Sequence, residues 1–152
     1  MNARQISEWF LSKQSMSLKK MQKLVYYAYA WYLTLMNDRA EDLNNRLFDE
    51  SIKAWVHGPV VYSLYKDYKD YRYNEIPQGD VDESVYTEDA LDVLNQVWDV
   101  YGCYNANELE SITHQEEPWI EAREGLTPLQ NGYKSINDKT IYTHYLKQAS
   151  ED

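Results

Sequence analysis

The chain has 152 residues, of which 43% are apolar, and it contains one cysteine, Cys103. A single cysteine excludes an internal disulfide and any zinc site built on several thiolates, and the length suits one domain with its own core. The formal charge of −10 argues against a protein that wraps nucleic acid, because such proteins present a basic face to the phosphates.

Charge is distributed unevenly along the chain. Residues 1–40 carry six Lys/Arg and two Asp/Glu, whereas residues 41–152 carry nine Lys/Arg and 23 Asp/Glu. An acidic surface of this kind attracts basic partners. The N-terminus has no apolar leader, and the longest apolar stretch, residues 24–36, is too short to span a bilayer. We therefore expect a cytoplasmic protein.

Two helices are predicted at the start of the chain. The first runs from about residue 3 to residue 13. Ser15 or Ser17 then caps a second helix, whose apolar residues recur every three or four positions from Leu18 to Leu35. Other apolar side chains widen this face, so we expect the second helix to be central, buried on most sides and ended by residues 37–38.

A short hairpin is predicted next. Leu47-Phe48 and the alternating segment 52–56 read as two strands that pair across residues 49–51. The apolar period then changes to that of a helix. Pro59 suits the first helical position, where its missing N–H is no loss, so the third helix is predicted from Pro59 to about Arg72.

Capping signals place the remaining helices. Thr87 is a predicted N-cap, and Gly102 ends that helix. Asn105 with Glu108 forms a capping box, and Pro118 opens a short helix before a last one around residues 141–146. The fold class is therefore mainly α: a compact bundle of six to seven helices with a two-stranded hairpin near residues 47–56. We expect one domain over residues 1–148 and a frayed acidic tail over residues 149–152.

Catalytic signatures do not emerge from the sequence. No phosphate-binding loop, nucleophile elbow or zinc-binding helix motif is present. A metal site built from His114, His57 and Glu116 and a nucleophile formed by Cys103 with His114 are alternatives that no spacing requires. We therefore predict a protein that is not an enzyme, without catalytic, cofactor-binding or metal-binding residues.

Three blocks of sequence resemble the Panacea domain, the SocA-like antitoxin family common in bacteria and prophages. They are residues 18–28, residues 54–60 with Tyr65 one turn later, and residues 109–123, and the likeness extends over about residues 3–148. His57 stands where the family usually has an aromatic residue. We expect the matching residues mainly to shape the fold. These motif residues are Lys23, Tyr27, Trp55, Gly58, Pro59, Val60, Thr113, His114, Glu116, Pro118, Trp119 and Arg123.

The resemblance implies an antitoxin that pairs with a protein toxin of unrelated fold. The acidity of the chain favours a basic toxin, encoded nearby, and neither direct nucleic-acid binding nor membrane association is expected. An adaptor that delivers its bound partner to protease machinery is the alternative function. The candidate partner contacts lie in the tyrosine-rich stretch and the acidic loop after it: Tyr62, Tyr65, Asp67, Tyr68, Asp70, Tyr71, Tyr73, Asp80, Asp82 and Glu83.

Overall fold

The computed structural model describes residues 1–151, which form seven helices and one two-stranded sheet. The helices are α1 (Ala3–Leu11), α2 (Leu18–Leu35), α3 (Tyr62–Tyr68), α4 (Glu88–Tyr101), α5 (Ala106–His114), α6 (Glu117–Ala122) and α7 (Asp138–Glu151). The strands are β1 (Ile52–Trp55) and β2 (Gly58–Val61), and single 3₁₀ turns lie at Lys69–Tyr71 and Glu83–Val85. This arrangement confirms the mainly α fold class.

Helix α2 forms the centre of the fold. Thirteen of its 18 residues are buried, because α1, α4, α5, α7 and strand β2 all pack against it. Ser17 caps it by accepting a hydrogen bond from the N–H of Lys20. Among residues 1–151, no helix is both long and apolar enough to cross a membrane.

The predicted caps of the later helices are confirmed. The Thr87 side chain accepts from the N–H of Ala90 at the start of α4. Asn105 and Glu108 form a reciprocal capping box on α5. Helix α7 continues through Glu151, so residues 149–151 of the predicted tail are helical, while Asp152 lies outside the described residues.

The predicted partner strand of the hairpin was wrong. Segment 52–55 pairs antiparallel with Gly58–Val61, not with Leu47-Phe48, whose side chains are buried in the core without a strand. Pro59 therefore lies in β2, and α3 begins only at Tyr62. The missing N–H of Pro59 costs no hydrogen bond on this outer edge of a strand, just as it would cost none in a first helical turn. Proline alone therefore does not distinguish a strand from the start of a helix.

Both edges of the hairpin are occupied by other parts of the chain. On the β2 side, the Gln22 side chain accepts from the N–H of Val61 at 2.9 Å and donates to its carbonyl at 3.0 Å. On the β1 side, the carbonyls of Ala54 and Ile52 accept from the backbone N–H groups of residues 132 and 136. A helix and a loop thus complete the hydrogen bonding that further strands would otherwise provide.

Candidate functional site

The second half of the hairpin turn rests on two side chains from distant helices. Gly58 has a φ of +118°, a conformation that glycine adopts readily and other residues do not. A Cβ at this position would lie 2.5 Å from Cε of Lys23 in α2 and 3.1 Å from Oγ1 of Thr113 in α5. Three motif residues, far apart in sequence, therefore meet at one point.

Lys23 is a buried amine at this meeting point. Lys23 is only 1% exposed, and its ammonium group donates a long hydrogen bond of 3.4 Å to the carbonyl of Pro59. Burial lowers the pKa of Lys23 to about 7, and the neighbouring charge of Lys19 adds to this effect while Glu110 opposes it. The buried amine therefore loses its proton at a lower pH than a lysine in water does.

Trp119 and Arg123 fasten the hairpin to α6. The indole N–H of Trp119 donates to the carbonyl of Trp55 at 2.9 Å. The Arg123 guanidinium donates to the carbonyls of Ala54 at 3.0 Å and Thr127 at 2.9 Å, and also to that of Gln130. A buried guanidinium with several carbonyl acceptors fixes three segments at once.

Two histidines, His57 and His114, lie close to the contacts of Trp119. His114 stacks on Trp119 with ring centroids 3.8 Å apart, and burial lowers its pKa. His57 bonds instead to Glu110, whose same oxygen is 2.8 Å from the ammonium of Lys19. Within the described part of the chain, no group of three or more His, Cys, Asp or Glu residues could hold a metal ion.

Glu116 is the acceptor of a buried tyrosine network. The hydroxyls of Tyr27 and Tyr145 each donate to its Oε1 at 2.8 Å, and the hydroxyl of Tyr26 lies 3.0 Å from that of Tyr145. Burial raises the pKa of all three tyrosines above their usual range, so they remain protonated donors. The network joins α2, α7 and the residue that precedes α6.

Replacing Tyr145 by phenylalanine is expected to destabilise the fold by about 2 kcal/mol, because Glu116 loses a donor and Tyr26 loses its hydroxyl partner inside the core. The change would be measured as a lower denaturant midpoint with an unchanged slope. Tyr133→Phe is the matched control, since Tyr133 is 76% exposed and should unfold like the wild type. Equal midpoints for both variants would contradict a stabilising network.

Part of the predicted partner-binding stretch lies beside the half-buried Trp55 and forms a partly exposed aromatic cluster with it. Tyr62 is 49% exposed and Tyr65 is 36% exposed, and their rings lie 6.3 and 5.1 Å from that of Trp55. Tyr71 is also exposed, and Tyr73 is 99% exposed. We call Trp55, Tyr62 and Tyr65 the aromatic cluster.

Other predicted contacts in this stretch have partners within the protein. Tyr68 is buried under the guanidinium of Arg4, which lies 4.7 Å from its ring centroid and also pairs with Asp67 at 3.2 Å. Asp82 caps a 3₁₀ turn, and Glu83 accepts from the indole N–H of Trp9. Asp70 and Asp80 are exposed.

The structure brings the motif residues together and leaves most of the predicted contacts on the surface. Val60 in β2 and Pro118 in α6 are both buried. Sequence reasoning missed Gln22, Glu110 and Tyr145. A glutamine within the most apolar helix was a signal for Gln22, because a buried amide needs partners, but nothing marked the other two.

Comparison with known proteins gives one match. The family model described as "Antitoxin SocA-like, Panacea domain" matches residues 21–120, which is 100 of the 152 residues. The matched segment begins in α2, includes the hairpin and α5, and reaches Trp119 in α6. No curated protein and no solved structure matches the chain. The motif geometry and this match lead to one conclusion: the chain belongs to the SocA-like antitoxin family, whose members carry the Panacea domain.

Proposed function

We propose that this protein is the antitoxin of a type II toxin–antitoxin pair and neutralises its cognate toxin by direct binding, without chemistry of its own. Family membership supports a toxin as the partner. The observation that carries direct binding is the partly exposed aromatic cluster, because Tyr and Trp side chains anchor protein interfaces far more often than their frequency suggests.

The loop after the cluster supports a basic partner. Residues 74–86 contain four Asp/Glu and no Lys/Arg, whereas residues 62–73 contain two Asp/Glu and three Lys/Arg. A basic surface on the toxin would be attracted to this loop, while the aromatic side chains would supply the buried contact. The bound antitoxin would then cover the toxin's substrate site.

Growth rescue tests this proposal. The protein encoded beside this one is expressed alone, with the wild-type chain, and with a Tyr62→Ser, Tyr65→Ser variant. We expect toxicity, relief by the wild type with a stable co-purified complex, and at least a tenfold weaker complex for the variant, since interface tyrosines each contribute about 1–2 kcal/mol.

Tyr133→Ser serves as the control, because it removes an exposed tyrosine outside residues 62–86. Relief accompanied by loss of the toxin from the lysate would favour the adaptor function over sequestration. A complex that the double variant forms as tightly as the wild type would contradict binding through the aromatic cluster.

A further inference from the structure

A second apolar surface lies between α2, α4 and α7. It is a groove of about 360 Å³ whose lining contains no charged side chain among the described residues. Leu35 of α2 and Val100 of α4 lie on it, and they are 47% and 58% exposed. Apolar side chains left this open in a folded domain commonly mark an interaction site.

The groove has an acidic border along α4. Val93, Val97 and Val100 recur at helical spacing and line the floor. On the solvent side of the same helix, Asp92 and Asp99 lie four residues before and three residues after the groove-lining Gln96, and both are exposed. Helix α4 contains four Asp/Glu and no Lys/Arg, so nothing on it neutralises this border.

Helix α7 forms one wall of the groove, and the lysine nearest to that wall in sequence lies on another surface. Gln148 lines the groove from α7, whereas Lys147 lines a separate hollow with Glu121 and Thr143. The groove therefore combines an apolar floor with negative charge along α4. A complementary ligand has apolar side chains on one face and positive charges beside them.

We propose that this groove receives a basic amphipathic helix of the toxin. The inference rests on the proposed function, because it takes the toxin as the partner. The floor from Val93 to Val100 spans about 10 Å, which is two turns of a helix, so three or four apolar anchors at positions i, i+3 or i+4, and i+7 would fill it. Lysine or arginine beside those anchors would face Asp92 and Asp99.

A second copy of this chain fits the groove poorly. A symmetric dimer through α4 would place the same patch against itself and bring the two sets of Asp92 and Asp99 together. Like charges that face each other across an interface are unfavourable, whereas the positive charges of a basic helix would face these aspartates favourably. The negative charge along α4 therefore favours a basic helix over a second copy of the chain.

Two synthetic peptides of 15 residues test the chemistry of the groove on the full chain. Both carry the same leucine face; one has lysine and the other glutamate on the polar face. We expect the lysine peptide to bind at least tenfold more tightly by fluorescence anisotropy at low salt. Asp92→Asn with Asp99→Asn should weaken it three- to tenfold, and Val100→Arg at least tenfold. Equal binding of both peptides would overturn the proposal.

Ile120→Arg is the matched control, because Ile120 is 40% exposed on a helix outside the groove. If Ile120→Arg weakens the lysine peptide as much as Val100→Arg does, binding is not in the groove and the proposal fails. A concentration-dependent dimer that Val100→Arg dissociates would likewise overturn it, in favour of a second copy.

Growth rescue separates this inference from the proposed function. Rescue by the wild type but not by Val100→Arg, with Ile120→Arg still active, supports a toxin helix in the groove. Full rescue by Val100→Arg would overturn the groove assignment and leave the antitoxin function standing. Failure of the wild type itself to rescue would overturn the proposed function.

Discussion

Replacing Lys23 by methionine is expected to stabilise the protein by about 2–4 kcal/mol at pH 7, although lysine is a motif residue. Folding transfers this amine from water to a fully buried site, where its positive charge is strongly disfavoured. Methionine has a similar length and no charge. The bond that it forfeits, to the carbonyl of Pro59, is long at 3.4 Å and offsets little of the gain.

The same lysine sets a pH dependence of stability. Its pKa is about 7 in the folded protein and ordinarily 10.5, so between these values the unfolded chain holds a proton that the folded chain lacks. The free energy of unfolding therefore rises with pH in this window, by at most about 1.4 kcal/mol per pH unit. Above about pH 10 the buried tyrosines reverse the trend, because their raised pKa values keep protons on the folded state that the unfolded state loses.

Denaturant unfolding between pH 6 and pH 10 measures the stabilisation by Lys23→Met at pH 7 and the rise of stability with pH in the wild type. The wild type should gain stability with rising pH, and Lys23→Met should lose most of that slope. Lys147→Met is the control, since this lysine is exposed at the surface of α7. If Lys23→Met were destabilised at pH 7 and kept the slope of the wild type, the buried amine would not be the cause.

Replacing Gly58 by alanine is expected to destabilise the protein by about 2–4 kcal/mol. A left-handed φ costs a residue with a Cβ about 1–3 kcal/mol, and contact with Lys23 and Thr113 adds to that cost because both neighbours are buried. Gly79→Ala is the matched control: a Cβ there meets nothing within 4 Å, so stability should be nearly unchanged.

A double-mutant cycle divides the two costs. In a Lys23→Ala background the steric contact with Cε is absent, so Gly58→Ala should become cheaper while the backbone cost remains. The result to look for is a double variant that is less destabilised than the sum of the two single variants. If the two effects simply add and Gly58→Ala alone has a small effect, the hairpin turn at Gly58 accommodates a side chain.

The sequence predicted the helices well because their ends carry local signals. Ser17, Thr87 and Asn105 each accept from the backbone N–H three residues further on, which depends on neighbours in sequence alone. The hairpin pairing was missed because Pro59 is equally suited to a helix start and to an outer strand edge. Only the long-range bonds to Gln22 and Lys23 decide between these.

Some members of the candidate site were predictable, but their arrangement was not. The family resemblance marked Lys23, Gly58 and Thr113 as motif residues, yet their meeting depends on how α2, α5 and the hairpin pack. Tyr68 shows the opposite case. It shares the helical spacing of its exposed neighbours, but the side chains of α1, through Arg4 and Ser7, cover it. Burial by a distant helix leaves no mark in the local pattern.

The closed edges of the hairpin have a consequence for how partners are chosen. A free strand edge accepts almost any extended chain, because its backbone groups are the same whatever the sequence. Here Gln22 and the loop at residues 132–136 occupy those groups. A protein that binds this face must therefore read side chains, so partner preference can be altered by exchanging surface residues without rebuilding the sheet, and accidental strand-to-strand aggregation is prevented.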